Sequence, residues 1–420
     1  MKLLKKIIPV LFVCLFIFAI GASAKTLQLT IGDPFITVKD LKGIDTNKID
    51  AAPFISNGRT LVPVRVIAES FGSKVGWDDA TRTVTLTAGT KSIKLVIGSN
   101  VATVNGQSVK LDVPADIYGE RTYVPIRFVT ETLGYNVAYV DMTKDVVISD
   151  LPAIMDINGT KVTIDTYNLI KYFDKYDFTG KTSAELVEYS KDVYNRIETA
   201  YRKYSYVFAK GETISEAKKK EINEKMFNDF DDEDVLNNIV PGVYMSWQEK
   251  LAYAEIYDEK YAPEKQVPVY DETLVANSYN EKYYAVDYIK IGEKNQENLA
   301  KIIEIEQSIA ADGWDAVEAS LAEDAACSIV KGSLMAKEDY SNILFDTTVD
   351  LELNMVSEAV ILEDGYYIAR KVALPEISPE IKEELITHLA DSAVKEVEDQ
   401  LASIPCQYLV TSNDALDLAE

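Results

Sequence analysis

A block of fourteen residues occurs twice in the first third of the chain, and this repeat constrains the fold more than any other feature. The segment Arg59-Thr60-Leu61-Val62-Pro63-Val64-Arg65-Val66-Ile67-Ala68-Glu69-Ser70-Phe71-Gly72 returns 62 residues later as Arg121-Thr122-Tyr123-Val124-Pro125-Ile126-Arg127-Phe128-Val129-Thr130-Glu131-Thr132-Leu133-Gly134. The match continues beyond it: Trp77 answers to Tyr139, Asp79 to Asp141, Thr81 to Thr143 and Val84 to Val146. Self-similarity of this length marks a duplicated structural unit. Each copy reads the same way. A polar turn (Ser56-Asn57-Gly58; Tyr118-Gly119-Glu120) precedes a short apolar strand ending at a proline. Pro63 and Pro125 lack the N–H that a strand ladder needs yet suit the first turn of a helix, so strand passes to helix there. Helical spacing gathers Val66, Ile67 and Phe71 in one copy, and Phe128, Val129 and Leu133 in the other. Gly72 and Gly134 stand where a left-handed C-cap ends each helix. An alternating strand, a turn at Asp78-Asp79-Ala80 or Asp141-Met142-Thr143, and a Val/Thr-rich strand follow. Between the copies, apolar stretches around Gly98-Ser99-Asn100 and a second turn at Asn105-Gly106 predict a β-meander.

The N-terminus predicts export. Lys2, Lys5 and Lys6 precede an apolar run from Ile7 to Ile20, broken only by Pro9, and Ala22-Ser23-Ala24 supplies small residues for cleavage before Lys25. That run is shorter than the roughly 17–25 residues of a spanning helix, so residues 1–24 are expected to be a signal peptide rather than an anchor. Cys14 follows Phe12-Val13 without the small residue of a lipoprotein site, and no lipid anchor is expected. The mature chain keeps Cys327 and Cys406, too few for a disulfide framework. One bond between them and two buried free thiols both fit.

Composition removes several classes of function. A length of 420 residues suits two or three domains. The net charge of −25, which becomes −28 once the three leader lysines are gone, argues against a nucleic-acid surface. Hydrophobic residues at 47% and charged residues at 26% are ordinary for a folded chain. There is one histidine, His388. Sites built from two or three imidazoles are therefore excluded in their usual form. His388 stands among Glu383, Glu384 and Asp391 on a predicted helix and reads as a surface residue, not a ligand. The acidic run Asp229-Phe230-Asp231-Asp232-Glu233-Asp234 reads as a solvated loop and helix start, without the glycine and ligand spacing of an EF-hand. No phosphate-binding loop, dinucleotide fingerprint, GxSxG elbow or Cys-x-x-Cys is present, so no cofactor is expected.

The paired RTxVPxRxxxExxG blocks, with the meander between them, resemble the copper amine oxidase N-terminal-like or stalk domain of secreted proteins from Gram-positive bacteria, over about residues 27–150. The resemblance implies no copper chemistry here, because such an oxidase needs three histidines and a modified tyrosine in a separate catalytic domain. The motif residues Arg59, Pro63, Arg65, Glu69 and Gly72, with Arg121, Pro125, Arg127, Glu131 and Gly134, are read as structural. Arg65/Glu69 and Arg127/Glu131 are i,i+4 pairs, which ordinarily support short helices.

After Asp150-Leu151-Pro152 the pattern changes. Residues 154–163 predict strand, Asn-Gly turn and strand, and helices are expected over Ser183–Ala209, Ser215–Phe227 and Pro241–Lys260. From Tyr284 to Ile291 a strand is expected, then helices over Gln296–Ala311 and from Asp312 to Leu321, then a loop holding Lys331-Gly332-Ser333-Leu334. Val356 to Val360 and a closing strand over Gly365–Val372 follow, with a last helix over Pro379–Ser403. This order resembles a parvulin-type prolyl isomerase domain. Its flanks over 153–405 resemble PrsA- and SurA-like extracytoplasmic foldases, in which helical parts before and after the parvulin fold form a chaperone module.

That resemblance places Tyr288 (Asp287 if the strand shifts by one) and Tyr367 at the two parvulin histidine positions. The family's acidic or thiol position falls on Asp324 or Cys327. A hydrogen bond between the two tyrosines fits the resemblance, and so does plain core packing. A phenol with pKa ~10 cannot copy a neutral imidazole pair, and little or no isomerase activity is expected. The overall expectation is an α+β chain: signal peptide 1–24, duplicated stalk-type domain 25–150, helical chaperone-like module 151–278 plus 376–410, and degenerate parvulin-like domain 279–375. Such a chain would act as a secreted, envelope-associated, ATP-independent holder of unfolded or exported polypeptides, with cell-wall components as further partners. It would bind no nucleic acid and carry no membrane span once the leader is gone. A non-catalytic surface or adhesion protein and a weakly active isomerase are the alternatives.

Overall fold

The computed structural model describes residues 24–265, 270, 272–338 and 344–410. The expected leader lies outside them except for Ala24. The chain forms two compact units, residues 1–265 with 397–420 and residues 266–396, so the second is inserted in the sequence of the first.

The first unit begins with the duplicated part. Strands β1 (Thr26–Thr30), β2 (Phe35–Asp40), β3 (Gly43–Lys48), β4 (Phe54–Ser56) and β5 (Arg59–Pro63) lead to helix α1 (Val64–Ser70), β6 (Lys74–Asp78) and β7 (Thr83–Ala88). The second copy runs β8 (Lys91–Val96), β9 (Val101–Val104), β10 (Gln107–Lys110), β11 (Asp116–Tyr118), β12 (Arg121–Pro125), α2 (Ile126–Leu133), β13 (Asn136–Val140) and β14 (Asp145–Ser149). The hairpin turns are tight because Asn57 and Gly58, and Gly119 and Glu120, adopt positive φ. Gly134 caps α2 at φ 96°, letting its own N–H and that of Tyr135 reach the Thr130 carbonyl.

The copies are intertwined. One sheet has the order β13-β14-β1-β2-β3 and another β10-β9-β8-β7-β6, so each joins the end of one copy to the start of the other. A third sheet, β11-β12-β5-β4, carries the symmetry: Val62 pairs with Val124, its own counterpart in the repeat. Arg59 reaches Asp112 and Arg121 reaches Asp50, each arginine crossing to the other copy. The duplication therefore takes in β1 to β4, ahead of the block where the sequence identity is plain. Its core gathers Leu27, Leu29, Val62, Ile67, Leu86, Ile93, Leu95, Val124, Val129 and Ile148.

The rest of this unit is mainly helical. The hairpin β15 (Ala153–Ile157) and β16 (Thr160–Thr163) precedes α3 (Ile164–Asp174), α4 (Ser183–Ala209), α5 (Glu216–Asp229), α6 (Glu233–Asn238) and α7 (Pro241–Lys260). Thr182 and Glu185 form a reciprocal capping box that starts α4, and Pro241 opens α7. The acidic run has ordinary work: Asp229 accepts from the Tyr244 hydroxyl and Asp232 caps α6. The late strand β21 (Cys406–Tyr408) returns to pair with β15.

No structural boundary falls at 150/151. Val140 and Val147 of the duplicated part belong to the same core as Tyr167, Ile197, Val243 and Tyr244. Asp165 of α3 accepts from Thr26 Oγ1 at 2.8 Å and Ser149 Oγ at 3.1 Å, and Glu249 of α7 accepts the Met142 N–H at 2.7 Å.

The second unit holds α8 (Glu272–Lys282), β17 (Tyr283–Gly292), α9 (Gln296–Asp312), α10 (Trp314–Leu321), β18 (Cys327–Ala336), α11 (Phe345–Thr348), β19 (Val360–Leu362) and β20 (Gly365–Val372). The sheet order is β18-β17-β20-β19, antiparallel throughout. Lys331-Gly332-Ser333-Leu334, expected as a loop, lies within β18 beside a bulge opposite Val286/Tyr288. A Cβ on Gly365 would stand 2.3 Å from the Ile291 carbonyl oxygen, so only glycine fits where β20 meets β17. Most of α12 (Pro379–Ala402) also belongs here, and Leu385 packs with Val275 and Tyr279 of α8. Among the described residues no helix is long and apolar enough to cross a membrane.

Candidate functional site

Strand alternation divides the second unit's sheet into two faces. Ile289, Ile291, Tyr366 and Ile368 pack on α9 and α10 with Ile302, Ile305 and Trp314. Tyr284, Val286, Tyr288, Tyr367 and Ala369 turn the other way, towards Met335, Leu344, Val349 and Val360. Tyr288 pairs with Ala369 and Lys290 with Tyr367, which makes Tyr288 and Tyr367 diagonal neighbours. Their ring centroids are 5.7 Å apart with planes tilted by 47°.

The Tyr367 hydroxyl donates to Asp364 at 2.9 Å. Lys290 bonds the other Asp364 oxygen and stands 5.3 Å from the Tyr367 ring centre. The pKa of each group is driven further from neutral pH. Burial lifts the Tyr367 phenol, the Lys290 hydrogen bond lowers the Asp364 carboxyl, and the same bond raises the Lys290 ammonium. At neutral pH this cluster holds fixed protons and fixed charges. It can bind and orient a polar group, but a proton exchanger poised near the working pH is what general acid–base chemistry needs.

Asp324 and Cys327 do not join the tyrosines. Cys327 pairs with Ile291 and packs on the helix side of the sheet, and Asp324 bonds Lys301 of α9. Lys301 holds the Asp324 carboxyl below its usual range, while burial raises the Cys327 thiol. Cys327 and Cys406 are both free thiols. Asp287, the alternative histidine position, faces away from the tyrosine pair. It accepts from the Gly332 N–H at 2.8 Å and from Arg370 at 3.0 Å, and Arg370 also reaches Asp315 at 2.8 Å. Strand alternation carries a signal for Lys290, which lies two residues beyond Tyr288 on the same face. Asp364 precedes the strand and had no such signal.

The repeat-motif residues lie at several places around the duplicated fold. Arg65–Glu69 at 3.9 Å and Arg127–Glu131 at 4.0 Å are loose, exposed ion pairs along α1 and α2. Pro63 and Pro125 are the N-caps of those helices. His388 is exposed on α12.

Among the aromatic residues of the helical segments, Tyr189, Tyr194, Tyr201, Tyr244, Trp247 and Tyr253 are buried. Tyr204 and Tyr206 are half-buried, and Phe208 is 51% exposed. Phe208 lies tilted against Tyr204 and edge-on to Tyr253, with centroids 5.5 and 6.2 Å away, and Phe227 of α5 is 71% exposed.

Residues 40–148 match the family model of the copper amine oxidase N-terminal domain. No curated protein matches the chain. Among solved structures, the chain is similar to a peptidylprolyl isomerase (PrsA) from Bacillus cereus, at 16% identity and a TM-score of 0.23, over 65% of this chain and 100% of that one. It is also similar to PrsA from Bacillus subtilis, at 16% identity and a TM-score of 0.19, over 64% and 99% of the two chains. A third similar structure belongs to work on the SurA-like chaperones PEB4 and Cj1289 of Campylobacter jejuni, at 12% identity and a TM-score of 0.20, over 61% and 99%. The family match thus places a copper amine oxidase N-terminal-type domain at residues 40–148. The matched domain contains no histidine, and the residues present do not fit a histidine-bound copper.

Proposed function

We propose that this protein is an exported, envelope-associated holder of unfolded polypeptides that works without ATP and has little or no prolyl isomerase activity. The observation that carries this reading is the tyrosine pair. Where the resemblance to parvulins expects two imidazoles, Tyr288 and Tyr367 lie side by side, and the Tyr367 hydroxyl is committed to Asp364, which Lys290 also bonds. Lowering the ~18–20 kcal/mol barrier to peptide-bond rotation needs hydrogen-bonding groups available to the twisted imide. Holding a client needs only accessible apolar and aromatic surface, which Phe208 and Phe227 offer on the helical segments. The large negative charge would keep the holder soluble and discourage acidic clients.

The test has two arms. A proline-containing tetrapeptide should isomerise no faster than background, and increasing amounts of the protein should slow aggregation of a denatured model protein. Fast isomerisation would overturn the argument from the tyrosines. Loss of the second arm would favour a surface structural or adhesion protein, a reading supported by the burial of most helical aromatics.

A further inference from the structure

Within the first unit a cleft of about 590 Å³ lies between α2, β13, the β15–β16 turn and helices α4 and α7. That volume is in the ordinary range of ligand sites, ~300–1,000 Å³. Its lining is rich in cations for a chain that carries −25: Arg127, Lys161 and Lys250 face the cleft, paired with Glu131, Asp156 and Glu249 in turn, of which Glu131 alone also lines it. The Lys91 ammonium lies beside the lining residue Gly134, 3.1 Å from where a Cβ there would stand.

These cations are placed with care. Lys250 is 3% exposed, bonded to Glu249 at 2.7 Å and set 4.1 Å from the centre of the Tyr204 ring. Lys161 bonds Asp156 at 2.5 Å. An ammonium has three donors, so neither pairing uses up its capacity. Half-buried Tyr135, Tyr139 and Tyr204 supply aromatic surface, and stacking on Phe71 at 4.1 Å fixes the Tyr135 ring. Asn136, Thr160 and Ser246 add neutral polar groups. Aromatic faces that accept the C–H side of a ring, polar groups that meet hydroxyls, and cations that meet a carboxylate converge here.

We propose that this cleft binds an acidic saccharide, with a sugar ring laid against the tyrosines and its carboxylate held by Lys161, Arg127 and Lys250. A peptide fits less well, since Val137 and Ala138 are the aliphatic side chains of the lining and form no slot for an apolar side chain. The site is separate from the sheet of the second unit and stands or falls independently of polypeptide holding.

Calorimetric titration of the purified protein tests it, with trigalacturonate as the probe and maltotriose and triglutamate as controls. Trigalacturonate should bind saturably and more weakly as salt rises, with both controls roughly tenfold weaker or worse. Lys161→Ala and Arg127→Ala, both at exposed positions, should each weaken trigalacturonate by roughly threefold or more without lowering the melting temperature. Should Lys161→Ala melt early, Lys161→Gln takes its place. Absence of saturable binding, equal binding of maltotriose or triglutamate, or unchanged affinity in the variants would overturn the proposal.

Discussion

Asp165 shows what burial does to a single side chain. It sits in the first turn of α3, is 6% exposed, and meets the hydroxyls of Thr26 and Ser149. Burial is the largest influence on it and raises its pKa above the ordinary 3.8, outweighing those hydrogen bonds. The native state therefore holds this proton at pH values where the unfolded chain has lost it. The stabilisation is present below the ordinary value and is lost as pH rises through the raised native pKa. Asp165→Asn keeps an acceptor for both hydroxyls and lacks the titration. Its melting temperature should match wild type near about pH 4 and exceed it near about pH 7. A variant less stable than wild type at neutral pH would contradict the burial argument. The resemblance to parvulins singled out Tyr288 and Tyr367, but that they are diagonal neighbours depends on the register of β17 with β20, which alternation within either strand does not give. The position of Cys327 was not legible either, because only the register with Ile291 sends it to the other side.

Among the elements, the seam between β5 and β12 sets two kinds of interaction against each other. Val62 and Val124 are 0% exposed and pair across the repeat axis. The crossing ion pair Arg59–Asp112 lies close by, with side chains 54% and 71% exposed. Removing buried methyl groups forfeits transfer energy and leaves a cavity, so Val62→Ala should cost about 2 kcal/mol in denaturant unfolding. Arg59→Ala should cost less than about 1 kcal/mol, because water screens the pair. The reverse order would show that the arginines hold the copies together. Helices α4 and α7 were legible to the residue because Thr182, Glu185 and Pro241 are explicit start signals. Part of β18 is not legible as strand because Lys331-Gly332-Ser333 is locally polar and carries a glycine, and the bulge that accommodates it depends on its neighbour. The place of β1 to β3 in the duplication is not legible in the sequence, because their likeness to β8 to β10 lies in sheet position, not in shared residues.

At the scale of the molecule, local composition and long-range packing part company. Asp150-Leu151-Pro152 looks like a linker in sequence, yet its backbone is tied on both sides. Asp150 exchanges hydrogen bonds with Lys25 at 2.6 and 3.0 Å, Asn136 donates to the Leu151 carbonyl at 2.7 Å, and Ile164 donates to the Pro152 carbonyl at 3.0 Å. Limited proteolysis should leave residues 150–152 uncut, and residues 25–150 expressed alone should melt below the full chain because Val140 and Val147 lose their partners. A cut there that releases a stable N-terminal piece would argue for an independent domain. The proposed holding of unfolded chains rests on the exposed apolar side chains of the helical segments. Its most direct test is light scattering of a denatured model protein at equimolar ratio, comparing wild type with the Phe208→Ser, Phe227→Ser double variant. The account predicts slowed aggregation with wild type and at least roughly half of that protection lost in the variant, at an unchanged melting temperature. No protection by wild type, or equal protection by the variant, would contradict it.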